Sequence, residues 1–252
     1  MNKMTTVNNG NLTEKISILK PARLFFWVVI LLLILVVALW QISKSRTFQF
    51  FGKIVSRVAT NEKIVALTFD DGPSAEFTEP VLAILRDKKV KGTFFLTGSE
   101  IEKNMKFAQM IAAENHEIGN HSFSHQRMIL TGPEFVAEEI ERTDSAIEAA
   151  GFKGRILFRP PYGKKLFTLP WYMAQKNRLT ITWDLEPESY AVTADKIVDH
   201  VSEKVKPGSI ILLHVMYKSR AETRKALPEI IDRLRQTGYE FVTVSELLQH
   251  EA

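Results

Sequence analysis

IVALTFDDGP, residues 64–73, opens on a run of apolar and β-branched residues and closes on two adjacent carboxylates and a Gly-Pro turn. A short apolar run bounded by turn residues reads as a buried strand. Two neighbouring carboxylates at its end are costly in a partly buried place unless a cation or an arginine offsets them. The bland alternative is a polar turn that caps the next helix. Working outward, TEPVLAILRDKKV at 78–90 has helical periodicity, GTFFLTG at 92–98 reads as a strand, KFAQMIAAENH at 106–116 as a helix and EIGNHS at 117–122 as a strand. The alternation continues with a helix near 133–150, a strand at RILFRP (155–160), a helix near 169–176 and a strand at LTITWD (179–184). Then come a helix near 194–204, a strand at SIILLH (209–214), a helix near 223–237 and a last strand at YEFVTV (239–244) before SELLQH. About seven strands alternating with helices predict an α/β fold with a mostly parallel sheet, either closed as a barrel or open and doubly wound. No internal repeat is visible.

The totals narrow the chemistry. With 252 residues, 45% hydrophobic and 25% charged, the chain has the material for one large domain or two small ones. The net charge of +4 is spread out without a basic run, so nucleic-acid binding is not expected. The absence of cysteine removes disulfides, zinc–thiolate sites and thiol nucleophiles, and restricts any metal site to His, Asp and Glu.

One segment breaks the composition. LFFWVVILLLILVVALW at 24–40 is an unbroken apolar run of the length a spanning helix needs, about 17–25 residues. Trp27 and Trp40 lie near its ends, where interfacial aromatics belong. A cleaved signal peptide is the alternative, because VVA at 36–38 resembles a cleavage site, but the run exceeds the about 7–15 residues usual for such a core. Lys3, Lys15, Lys20 and Arg23 before the run balance Lys44, Arg46, Lys53 and Arg57 after it, so charge favours neither orientation. The expected organisation is a disordered cytoplasmic tail at 1–23, a membrane anchor at 24–42 in contact with lipid, a juxtamembrane linker at 43–62 and a catalytic domain at 63–252.

The chemistry-bearing residues gather at strand carboxyl ends: Asp70 and Asp71, His121, Arg159, Asp184 and His214. In parallel α/β folds those ends share one face and carry the ligand site. Catalytic zinc takes three protein ligands from imidazole and carboxylate and leaves a position open; Asp71 with the pair His121 and His125 in HSFSH (121–125) would supply such a set.

The ordered motifs TFDDGP (68–73), HSFSH (121–125), RPPYG (159–163) and LLH (212–214) resemble the polysaccharide deacetylases with the NodB homology domain, carbohydrate esterase family 4-like, over about residues 63–248. The resemblance implies a distorted (β/α) barrel of about seven units, preceded here by one N-terminal transmembrane helix. It implies a metal-dependent hydrolase that removes N-acetyl groups from an amino-sugar polymer such as peptidoglycan, chitooligosaccharide or exopolysaccharide. It also implies that the domain faces the outside of the cell membrane. Carried over residue by residue, Asp71, His121 and His125 would hold one divalent metal, zinc or else cobalt, nickel or iron. Asp70 would be the base, Arg159 would pair with and align it, and His214 would be the general acid. The Tyr162 backbone N–H would serve the oxyanion, and Leu212 would wall the acetyl pocket.

Two departures stand out. Where the family's fourth motif ends in Asp-Trp, WDLEPESY (183–190) places Ser189 and Tyr190 if Trp183 marks the register. Tyr190 would then supply an aromatic wall, while Asp184, Glu186 or Glu188 replaces the aspartate. Val215 stands where many relatives have an acid after the histidine. A glycan-binding module without activity, or a metal-dependent hydrolase for another amide or ester, are the competing functions. His116, His200 and His250 are expected at the surface.

Overall fold

A computed structural model describes residues 10–251, with side chains from residue 23 onward. The chain divides into two units, Met1–Ile42 and Ser43–Ala252. The described residues of the first belong to helix α1, Gly10–Ser43, whose last residue falls in the second unit. Its stretch Arg23–Ser43 has a mean hydropathy of 2.9 and is long and apolar enough to cross a membrane. The helix starts ahead of the apolar run, so residues 10–23, expected to be disordered, are helical. Extending a helix already nucleated by a long apolar segment is far cheaper than starting one. Residues 1–9 lie outside the described residues.

The second unit carries the seven strands found among the described residues. β1 (Ile54–Val55), β2 (Ile64–Asp70), β3 (Thr93–Leu96), β4 (Glu117–Asn120), β5 (Thr180–Ile181), β6 (Ile210–His214) and β7 (Glu240–Phe241) pair in parallel. β2 lies at the centre, with β3 on one side, β6 on the other and β7 against its beginning. Every residue of β2 is buried, as expected of a strand covered on both faces. Single-residue bridges close the ring: Asn120 to Phe158, Phe158 to Thr180, and Leu185 to Ile211. The result is a distorted barrel, as the resemblance implied. The crossovers are α2 (Thr78–Asp87), α3 (Gly98–Lys103), α4 (Met105–Ala113), α5 (Pro133–Ala149), α6 (Thr168–Gln175), α7 (Ala194–Lys204) and α8 (Ala221–Gln236), followed by the short α9 (Val244–Leu247). Their apolar stripes, such as Val136, Ile140 and Ile147 of α5 and Ile197, Val198 and Val201 of α7, are buried against the sheet and one another.

Three further expectations change in this unit. RILFRP forms no strand; only Phe158 bridges its neighbours, because Pro160 and Pro161 have no N–H to continue a ladder. The segment 43–62, expected as a linker, belongs to the folded unit. β1 pairs with β5, Val55 and Val58 are buried, and the Val58 N–H bonds the Gly208 carbonyl at 3.0 Å. Those two valines sit among polar neighbours, too few to give a periodic signal. His116 is buried rather than at the surface, accepting the Gly92 N–H at 3.1 Å with its ring edge-on to Phe94. Burial pushes its pKa down to about 4.

Candidate active site

The carboxyl ends of the strands build a cavity of about 560 Å³ lined by Asp70, Asp71, His121, His125, Tyr162, Trp183, Leu212 and His214 among others. Asp70 is the last residue of β2, His121 follows β4, and His214 ends β6, so the topology alone brings them to one mouth. Asp71, Ser122, His125 and Tyr162 have positive φ between 57° and 69°. Four non-glycine residues in that region around one cavity are strain concentrated at a site.

Arg159 has no exposed surface and organises the floor. Its guanidinium pairs with the Asp70 carboxylate, donates to the Thr68 hydroxyl at 2.9 Å and the Thr182 carbonyl at 3.1 Å, and lies 4.0 Å from the centre of the Phe95 ring. A buried arginine stripped of its carboxylate is left uncompensated, at a cost of about 3–5 kcal/mol. The Arg159 carbonyl does a second job. It lies 2.8 Å from His121 Nδ1, and because a carbonyl only accepts, Nδ1 carries the proton and Nε2 presents its lone pair to the cavity.

That lone pair meets two other donors. Among the described residues, one atom each from Asp71, His121 and His125 lie within 4.8 Å of one another. His125 Nε2 is 3.2 Å and His121 Nε2 3.8 Å from Asp71 Oδ1, and this buried oxygen has no hydrogen-bond partner among the described residues. A buried carboxylate oxygen without a partner, facing two imidazole nitrogens, fits a divalent cation that takes nitrogen and oxygen ligands. Burial is the main cause that lowers the His121 pKa to about 3, so it stays in the neutral form that binds metal. Asp70 stays beside this set, its Oδ2 3.6 Å from His121 Nε2.

Across the cavity, His214 Nε2 points to Asp71 Oδ2 at 3.9 Å and Nδ1 lies 2.7 Å from Glu188 Oε2. Glu188 Oε1 also accepts the His214 backbone N–H at 2.9 Å and the Thr223 hydroxyl at 2.7 Å. Burial lowers the His214 pKa, but the Glu188 hydrogen bond and the charges of Asp70, Glu188 and Asp71 outweigh it, and the net direction is up. Burial likewise raises that of Glu188, yet its bonds from His214 and Thr223 bring it below the ordinary value. Of the three acids left open by the sequence, Glu188 is therefore the partner of His214. Asp184 binds the Ser209 hydroxyl and the Ile210 N–H at 2.8 and 2.9 Å, and Glu186 binds Arg46 and the Trp183 indole N–H at 2.7 and 3.0 Å.

Tyr190 is not in the cavity. It is 73% exposed and stacks on His200. The reason is the 3-10 turn Pro187–Ser189, which at three residues per turn sends Glu188 inward and Tyr190 outward. The aromatic wall is Trp183 instead, 5% exposed and lining the cavity. Gly163, at φ +65°, gives that ring its space: a Cβ there would stand 3.2 Å from it. Leu212, 1% exposed, lines the cavity as expected, and the Tyr162 ring packs 4.6 Å from that of His125. Tyr217, which no motif signalled, also lines the cavity. Burial, then the charge of Asp71 and a hydrogen bond to it, raise the Tyr217 pKa. Lys44 and Arg46 reach the wall from the segment expected as a linker.

Residues 57–182 match the family model described as polysaccharide deacetylase. The chain belongs to the polysaccharide deacetylase family. A peptidoglycan-N-acetylglucosamine deacetylase of Bacillus cereus is 36% identical over 203 residues, 79% of this chain and 95% of that relative. The peptidoglycan-N-acetylmuramic acid deacetylase PdaC of Bacillus subtilis is 36% identical over 75% of this chain and 40% of its own length. Among solved structures, the Bc1960 peptidoglycan N-acetylglucosamine deacetylase in complex with a hydroxamate-type ligand superposes with a TM-score of 0.74 at 32% identity, covering 78% of this chain and 94% of that one. The polysaccharide deacetylase fold also includes a CE4 family pseudoenzyme from Bacillus anthracis, with a TM-score of 0.70, 31% identity and coverage of 77% and 68%. These relatives support a glycan deacetylase, and the family's pseudoenzyme makes the site residues themselves the deciding matter.

Proposed function

We propose that the protein is a metal-dependent hydrolase that removes N-acetyl groups from an amino-sugar polymer, with peptidoglycan favoured by the names of the relatives. The observation that carries this reading is Asp70 held beside the Asp71–His121–His125 set, with a Glu188-partnered His214 across the same cavity. A divalent cation, zinc by preference for two imidazoles and a carboxylate, would be held by Asp71, His121 and His125 and supplies polarisation of the amide carbonyl and acidification of water. Asp70, unliganded, takes the proton of the water that attacks the amide carbon. Arg159 fixes the orientation of that carboxylate. The Tyr162 backbone N–H donates to the developing oxyanion. His214 gives its Nε2 proton to the departing amine, so that the C–N bond breaks as acetate and free amine form. Leu212 and Trp183 exclude bulk water around the methyl group.

Acetate release from N-acetylated glycan fragments, assayed with and without a chelator, tests this. Release that stops with chelator and returns with metal is expected. No release under any metal would make the protein a binding module, and release from small esters alone would point to another substrate. Glu188→Gln should lower kcat by about 10²-fold or more with little change in KM, because the imidazolium loses its counter-charge while the cavity keeps its shape; an unchanged kcat would remove Glu188 from the acid dyad.

The apolar helix supports a retained single-pass anchor, with the catalytic unit outside the cell membrane where such polymers lie. Digestion of this unit by protease added to intact cells tests the orientation, and full protection would overturn it.

A further inference from the structure

Arg46 reaches the cavity from the segment 43–62 and closes a network around its aromatic wall. Its guanidinium donates to Glu186 Oε2 at 2.7 Å, and the same oxygen accepts the Trp183 indole N–H at 3.0 Å. The Arg46 guanidinium carbon also lies over the Trp183 ring, 4.6 Å from its centre. One side chain thus touches the face of the indole and holds the acceptor that fixes its edge. Arg46, Trp183 and Glu186 all line the cavity together with Leu212. The backbone around Arg46 is itself tied down. The Ser43 carbonyl accepts the Lys165 N–H at 3.0 Å, the Ser45 carbonyl accepts from the buried Lys165 ammonium, and the Arg46 carbonyl accepts the Thr182 hydroxyl at 2.6 Å. Thr182 precedes Trp183 and gives its own carbonyl to Arg159 at 3.1 Å, so the segment is fastened to the floor of the site.

We infer that Arg46 is a positioning residue: through Glu186 and the face of Trp183 it holds the indole wall in place, and the segment 43–48 thereby sets the size of the acyl group that the cavity accepts. The inference rests on the deacetylase reading for the identity of that group. Arg46 acts through Trp183 and takes no part in the proton transfers of Asp70 and His214. A wall held at its edge by a charge-assisted acceptor and on its face by a cation keeps a fixed shape, and a pocket of fixed shape discriminates by one methylene about 10–200-fold. An indole released from both contacts can turn aside and admit a longer acyl chain. The planar guanidinium suits both tasks at once, since it donates to the carboxylate while stacking on the ring; a lysine ammonium reproduces the first and only part of the second.

The full-length protein in detergent micelles is assayed on two tetrasaccharides, chitotetraose and alternating N-acetylglucosamine and N-acetylmuramic acid, and on their N-propionyl counterparts. The wild type should favour the acetyl form in kcat/KM by about 10-fold or more. Arg46→Ala should bring that ratio close to one, and Arg46→Lys, which keeps a cation within reach of Glu186, should restore most of it. A loss of equal size on both acyl forms, with the ratio kept, would make Arg46 a merely structural residue and overturn the inference. A second measurement needs no turnover. In protein grown with fluorotryptophan, the Trp183 fluorine resonance, assigned by its loss in Trp183→Phe, should move little on exchange of H2O for D2O in the wild type and clearly more in Arg46→Ala, because a loosened indole meets solvent. An isotope shift unchanged by the substitution would overturn the positioning. The larger shift in Arg46→Ala, with no release from any tetrasaccharide by the wild type, removes the deacetylase reading and keeps the positioning of Trp183; release with ratio and isotope shift both unchanged in Arg46→Ala does the reverse.

Discussion

Asp70→Asn is expected to cut acetate release by about 10³-fold while the protein still binds its metal. General-base catalysis contributes about 10²–10⁴-fold, and the amide cannot take the proton that the carboxylate takes. The substitution is nearly isosteric, so its effect on geometry is small: Arg159 keeps its bonds to the Thr68 hydroxyl and the Thr182 carbonyl. What is lost is the counter-charge of a fully buried guanidinium, so the variant should also melt at a lower temperature than the wild type. Metal content measured on the folded variant decides the assignment. Asp71, His121 and His125 remain intact, so a stoichiometric loss of metal would mean that Asp70 is itself a ligand.

His121→Ala should lose metal and activity together. Its Nε2 is one of three ligand atoms gathered within 4.8 Å, and its ring is locked by the Nδ1 bond to the Arg159 carbonyl. Even a partner that only orients a ligand is worth about 10–100-fold in metal affinity, so removal of the ligand itself should cost at least about 10²-fold. Metal titration of the purified full-length variant, with the melting curve as a check on folding, reads this. Unchanged affinity would take His121 out of the set. The two variants together separate the base from the ligands, since one loses turnover and keeps metal while the other loses both.

Much of this site was legible in the residues. The carboxylate pair after IVALTF, the histidine pair in HSFSH, and Leu212 and His214 all line one cavity because each lies within or just beyond a parallel strand, and that depends only on the order of strands and helices, while the buried Arg159 reaches the site through its pairing with Asp70. The expectation failed where position depends on how a short turn is wound. Tyr190 and Glu188 are two residues apart, and a pattern of residue types does not say which of them a 3-10 turn points inward. Glu188 was one of three candidate acids, and only its 2.7 Å approach to His214 Nδ1 separates it from Asp184 and Glu186, which serve a backbone N–H and an arginine.

The segment 43–62 shows the same division. Its two buried valines carry no periodicity, so their place against β5 and Gly208 was invisible until the partner strands were folded, and with it the presence of Lys44 and Arg46 on the cavity wall. From sequence alone came the α/β alternation, the apolar helix, the family and the residues able to hold a metal, because hydrophobic period and local motif spacing are encoded by neighbours in the chain. Tertiary structure alone decided the acid partner of His214, the aromatic wall and the buried state of His116. Each of these depends on contacts between residues remote in the chain, where burial and the charge of the group opposite determine what a side chain does.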